Sequence, residues 1–94
     1  MPDTVANLEA SRVALQLLIR ACALRHIKRR ERVYAVELYN RVRKVRGGDD
    51  ATMTLVGATL RAMEDEGLLV SSLEQGTTLL RRYYRLAEKA VAHG

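Results

Sequence analysis

From about Val5 to about Ile27, apolar residues fall on almost every side of a helical wheel. Leu8, Val13, Leu15, Leu17, Leu18, Ile19 and Leu24 leave only the narrow polar stripe Arg12, Gln16 and Arg20. A helix with one side in water carries a wide polar face, so this helix is expected to be covered on most sides. The basic stretch His26 to Arg32 reads as a loop that ends in a short extended piece near Val33. A second helical period follows over Ala35 to Val45, with Leu38, Val42 and Val45 inward and Glu37, Arg41 and Lys44 outward. Gly47-Gly48-Asp49-Asp50 is a turn. Thr52 then stands as the N-cap of a third helix, Met53 to Glu66. Val56, Leu60 and Met63 point inward, Thr54, Ala58, Arg61 and Asp65 point outward, and Gly67 ends the helix. Leu68 to Leu73 reads as a strand, Gln75 to Thr78 as a turn and Leu79 to Leu86 as the return strand of a hairpin. A short helix over Ala87 to Ala92 is expected to close the chain.

A chain of 94 residues carries one hydrophobic core and hence a single domain, 1–94. With no Trp, no Phe and only the aromatics Tyr34, Tyr39, Tyr83 and Tyr84, that core must be aliphatic. Small aliphatic cores are marginal alone, and a partner subunit is expected. The helix of residues 5–27 is the natural interface, with Leu15, Leu18, Ile19 and Cys22 as its contacts, because one small chain can hardly cover all its apolar sides. The net charge of +5 is polarised: Arg25, Lys28, Arg29, Arg30, Arg32, Arg41, Arg43, Lys44 and Arg46 lie close together in sequence, while the acids gather at Glu64, Asp65 and Glu66. A surplus of this kind implies an anionic partner, nucleic acid being the commonest. The single cysteine fits a reducing cytoplasm. The start Met1-Pro2-Asp3-Thr4 has no signal-peptide pattern, and the apolar run Val13 to Leu24 is too short and too interrupted for a membrane span.

The order helix, short helix, turn, helix, hairpin is that of a winged helix-turn-helix: mainly α with a small β-hairpin (α+β), helix-turn-helix over 33–66 and wing over 68–86. A helix fits the major groove, the helix before it braces on the backbone, and the hairpin brings basic side chains to flanking phosphates. The partner this order implies is double-stranded DNA, bound by a homodimer acting as a transcription regulator in the cytoplasm.

The stretch Thr59-Leu60-Arg61-Ala62-Met63-Glu64-Asp65-Glu66-Gly67-Leu68-Leu69 resembles the end of a recognition helix running into the wing of PadR-like and MarR-like regulators. Arg81-Arg82-Tyr83-Tyr84-Arg85-Leu86 resembles the second wing strand of the PadR family in particular, and Glu37-Leu38 fits the same pattern. Gly57 departs from it, standing where PadR-like proteins usually carry a tyrosine. The resemblance implies that Thr52, Thr54, Ala58 and Arg61 face the major groove, with Arg61 as the guanine reader. It further implies phosphate contacts from Arg41 and Lys44 and, in the wing, from Arg81 and Arg82. Arg61 has a second reading, a surface ion pair with Asp65 one turn on. Strand alternation separates Arg81, Tyr83 and Arg85 from Arg82, Tyr84 and Leu86, with Tyr84 and Leu86 expected on the core side.

Catalytic and metal chemistry find no support in the sequence. Gly47-Gly48 lacks the length and Lys-Ser/Thr ending of a phosphate loop, and His26 and His93 stand apart from other ligands. Glu64, Asp65 and Glu66 read as solvated charge. No cofactor is expected, and no pocket-forming aromatic set points to an effector ligand. The outward face of the third helix is poor in base-reading side chains. It also fits a winged-helix protein-interaction module or a protein that coats DNA without regard to sequence.

Overall fold

The computed structural model describes residues 4–76 and 80–87, with side chains from Glu9 onward. Six elements follow in order: α1 (Thr4–Arg30), β1 (Val33–Tyr34), α2 (Ala35–Arg43), α3 (Met53–Asp65), β2 (Leu69–Gln75) and β3 (Leu80–Leu86). This is a winged helix-turn-helix, with α2 and α3 as the helix-turn-helix and the β2–β3 hairpin as the wing.

The first helix is longer than the sequence reading allowed. The basic residues expected in a loop continue α1 through Arg30. Arg and Lys are good helix formers and no Gly or Pro interrupts them. Ile27 completes a buried stripe with Ile19, Cys22 and Ala23. Lys28, Arg29 and Arg30 in the last turn also oppose the negative end of the helix dipole. Glu31, with φ 72°, breaks the helix and turns the chain into β1.

The third helix is delimited as its flanking residues predict. The Leu55 N–H donates to Thr52 Oγ1 at 3.1 Å, satisfying an otherwise free helix donor. At the other end Gly67 takes φ 84°, the Gly67 N–H donates to the Glu64 carbonyl and the Leu68 N–H to the Met63 carbonyl. That pair of bonds is a Schellman stop, which glycine enters without strain. Between the helices, a Cβ at Gly48 would lie 1.9 Å from the Val42 carbonyl oxygen, so only glycine lets this turn close onto α2. The second helix stops at Arg43, two residues short of expectation. Lys44 and Val45 bond back three residues, to Arg41 and Val42, as its tightened last turn.

The sheet has the order β1-β3-β2, all antiparallel, with Val33 opposite Tyr84 and the hairpin running in register from Leu69–Leu86 to Gln75–Leu80. The extended piece near Val33 is thus a third strand. One face of the sheet covers a core of Ile19, Leu38, Val42, Val56, Leu60, Met63, Leu69 and Val33, and Tyr84 enters it as expected. Leu86 does not: it is 45% exposed. It ends its strand beside Leu24, Arg25 and Lys28 of α1, where it helps line a shallow apolar groove. Ala87 is not helical, and residues 88–92 of the expected last helix lie outside the described residues, as do Thr77, Thr78 and Leu79.

Two of the four proposed interface residues are taken up by the chain's own core. Ile19 and Cys22 are buried within the single chain, and Leu15 and Leu18 pack partly against the same cluster. The helix turns that side toward α2 and α3. The apolar side left open runs instead along Val13, Leu17 and Leu24, which are 53%, 60% and 37% exposed, with exposed Ala14 and Ala21 between them and Ala10 before them.

Candidate nucleic-acid interface

With Val56, Thr59, Leu60 and Met63 directed into the core, α3 is rotated so that Thr54, Arg61 and Asp65 are exposed and Ala58 half-buried. Thr59, the buried polar residue on the inner side, donates from its hydroxyl to the Leu55 carbonyl at 2.7 Å and needs no outside partner. Arg61 is exposed, and none of the ion pairs among the described residues joins it to Asp65. Its guanidinium therefore stands available for an external acceptor.

The N-terminal half of this helix borders a groove of about 760 Å³ between α1 and the turn before α3. Thr52, Thr54 and Ala58 line it with Leu15 and Leu18, and Arg12 and Arg46 add two cations the sequence reading did not single out for this role. In sequence Arg46 is visible only as one of the basic cluster and Arg12 only as one member of a polar stripe, and the fold alone brings both to the groove that Thr54 lines.

Arg81 and Arg82, assigned together from sequence, part company in the sheet. The Arg81 guanidinium lies 3.9 Å from the centre of the Tyr34 ring, on the side of the sheet turned away from the core. That side carries a network. Arg32 sits over both Tyr34 and Tyr83 and reaches Glu74 at 3.3 Å, Tyr34 donates from its hydroxyl to Glu74, and the two rings meet edge to face at 6.0 Å. The Glu74 carboxylate accepting that bond, followed by burial, raises the Tyr34 hydroxyl above its usual pKa. Arg82 lies on the α3 side. Its guanidinium donates to Ser71 Oγ at 2.9 Å, and the Ser71 hydroxyl and N–H donate to Glu64 at 2.7 and 3.2 Å. Glu64, read as solvated charge, instead ties the end of α3 to the wing. Glu66 is likewise engaged, holding Arg20 of α1 through two bonds of 2.7 and 3.0 Å. The Arg20 guanidinium, against a smaller burial effect, draws the Glu66 carboxyl below its ordinary range.

Arg41 and Lys44 are both exposed on or just after α2. Arg41 lies near enough to α1 for its charge to act on Cys22 and His26. Burial raises the Cys22 thiol, and Arg25 and Arg41 oppose that rise. Burial likewise lowers the His26 imidazole; Glu37, 3.7 Å away, opposes the shift, while Arg41 and Arg30 add to it. Among the described residues no three His, Cys, Asp or Glu side chains come together as a metal site, and no helix is long and apolar enough to cross a membrane.

No family model matches the chain, and no curated protein does. The structure is similar to the crystal structure of a PadR family transcriptional regulator from Eggerthella lenta DSM 2243. The TM-score is 0.61 and the identity 22%, over 98% of this chain and 77% of that one. The likeness establishes a shared fold over nearly the whole of this chain.

Proposed function

We propose that the protein is a homodimeric, DNA-binding transcription regulator that places α3 in the major groove and the wing on the flanking backbone. The observation that carries this is the outer face of α3. It is exposed, offers the unengaged Arg61 at its centre, and is flanked by Arg12 and Arg46 at one end and Arg82 at the other. Arg61 reads a base, since its fork matches the two acceptors of guanine. Thr52, Thr54 and Ala58 make close contacts around it, and Arg12, Arg46, Lys44 and Arg82 neutralise phosphates. Arg81, stacked on Tyr34, contributes at longer range, and exposed Arg41 meets the flanking backbone beside Lys44. The similar structure of a PadR family regulator supports the reading through fold.

The homodimer rests on the open apolar side of α1, which nothing within the described chain covers. Exposed leucines at helical spacing are costly in water, and a second copy removes them. Selection of bound duplexes from a random pool, with binding measured at two salt concentrations, tests the function. The expected result is an enriched motif and an affinity that falls steeply with salt. Retention that is absent on every duplex at low salt would leave the protein-interaction reading, which the apolar groove beside Thr54 and Ala58 favours.

A further inference from the structure

We propose that two copies of α1 pack antiparallel, each inserting the turn Glu9–Val13 into the groove that Leu24, Arg25, Lys28 and Leu86 form on the other. This rests on the homodimer reading and adds its geometry. The open stripe of α1 recurs at Val13, Leu17, Ala21 and Leu24 on one side of the helix, with half-buried Arg20, held by Glu66, at its edge. Its two ends differ in charge. Near the N-terminal end exposed Glu9 and Arg12 balance in charge, whereas the C-terminal end carries exposed Arg25, Lys28, Arg29 and Arg30. In a parallel pair Lys28, which lies on the same side of the helix as the stripe, would face its own copy. In an antiparallel pair each basic end meets the end that holds Glu9.

Register and shape agree with charge. Setting Val13 against the second copy's Leu24 also sets Glu9 against its Lys28, since each lies four residues further out along its own helix. The groove at that end holds about 430 Å³ and offers two apolar walls, Leu24 and Leu86, with Arg25 and Lys28 at the rim. Ala10 and Val13 of the incoming turn match the walls, and the Glu9 carboxylate matches the rim. Leu86, left exposed by the described residues of its own chain, is thereby covered. The pairing is isologous, as a two-fold dimer requires.

Cysteine cross-linking separates the arrangements. In a Cys22→Ala background, Val13→Cys and Leu24→Cys are made separately and then mixed under subunit exchange. A disulfide needs Cα atoms within about 7 Å. Val13 and its own copy would be about 16 Å apart along an antiparallel pair. Each variant alone should therefore stay uncross-linked while the mixture yields a covalent dimer. Cross-linking of either variant alone would overturn the arrangement, as would a mixture that stays uncross-linked while sedimentation shows a dimer. Sedimentation showing a monomer at micromolar concentration would instead overturn the homodimer itself. Glu9→Lys and Lys28→Glu should each weaken the dimer by about tenfold, and the double variant should regain most of that loss. A double variant no tighter than either single one would also refute the pairing of these two residues.

Discussion

Replacing Glu64 by alanine should loosen the wing from the recognition helix and cost the fold measurably. The carboxylate accepts from the Ser71 hydroxyl at 2.7 Å and from the Ser71 N–H at 3.2 Å, and the same hydroxyl accepts from Arg82. Hydrogen bonds to a charged group contribute about 1.5–3 kcal/mol each when well formed. Glu64 is half-buried, one of its two bonds is long, and water can enter after truncation, so the combined loss is set at about 1–3 kcal/mol. In a domain of this size each kcal/mol lowers Tm by roughly 4–8 °C. Glu64→Gln keeps an acceptor oxygen without the charge and should lose about half as much. Urea unfolding measures the first effect, and titration of a preferred and a random duplex measures the second. Affinity for both duplexes should fall by a similar factor, because Glu64 positions the wing and does not read bases. An Ala variant within about 0.5 kcal/mol of the parent would refute the reasoning and return Glu64 to ordinary solvated charge.

Three other outcomes follow from the same geometry. Arg61→Ala should cost about 1–3 kcal/mol on the preferred duplex and flatten base preference at one position, whereas Arg82→Ala should weaken all duplexes alike and Arg81→Ala should do so less; competition titrations that rank Arg81 above Arg82 would contradict the two-sided wing. The logarithm of affinity should fall linearly with the logarithm of salt, with a slope of about −0.9 per neutralised phosphate, and Arg12→Ala or Arg46→Ala should each reduce that slope by about one phosphate. Because burial lowers the His26 pKa, the unfolded chain takes up a proton first as pH falls below the ordinary histidine value; stability should therefore decline from pH 7 toward pH 5, and His26→Gln should remove part of that decline in parallel urea titrations.

Much of the fold was legible because it rests on local chemistry. Thr52 and Gly67 mark the ends of α3 by satisfying or tolerating what a helix end demands, and those needs act within a few residues. The alternation of β3 likewise predicts that Arg81 and Arg82 lie on opposite sides of the sheet. With Tyr84 expected inward it also puts Arg82 on the core side, but it cannot say what either guanidinium meets, because that depends on Tyr34, Glu74 and Ser71 from two other strands. The network of Arg32 with Glu74 and the ion pair of Arg20 with Glu66 join residues 42 and 46 positions apart, and no periodicity registers such distances. The loop expected over His26 to Arg32 failed for a physical reason as well. Dense positive charge reads as a solvated segment, yet Lys and Arg hold a helix well and are favoured in its last turn.

The same extension of α1 changes what its apolar surface means. A helix that is apolar all round can be satisfied in two ways, by a core and by a partner, and sequence gives no division between them. The structure supplies the division. Ile19, Cys22, Ala23 and Ile27 form the inner stripe, and their burial fixes the rotation of the helix. Once that rotation is set, Val13, Leu17 and Leu24 cannot also turn inward, because they project from the other side of the same cylinder. Ile19→Glu and Leu17→Glu, alike on a hydrophobicity plot, should therefore behave differently. The first places a charge where no water reaches and should unfold the chain. The second should leave the monomer folded and the dimer broken, as read by circular dichroism beside sedimentation. DNA affinity in the second variant should drop by the loss of one half-site, without any change at α3.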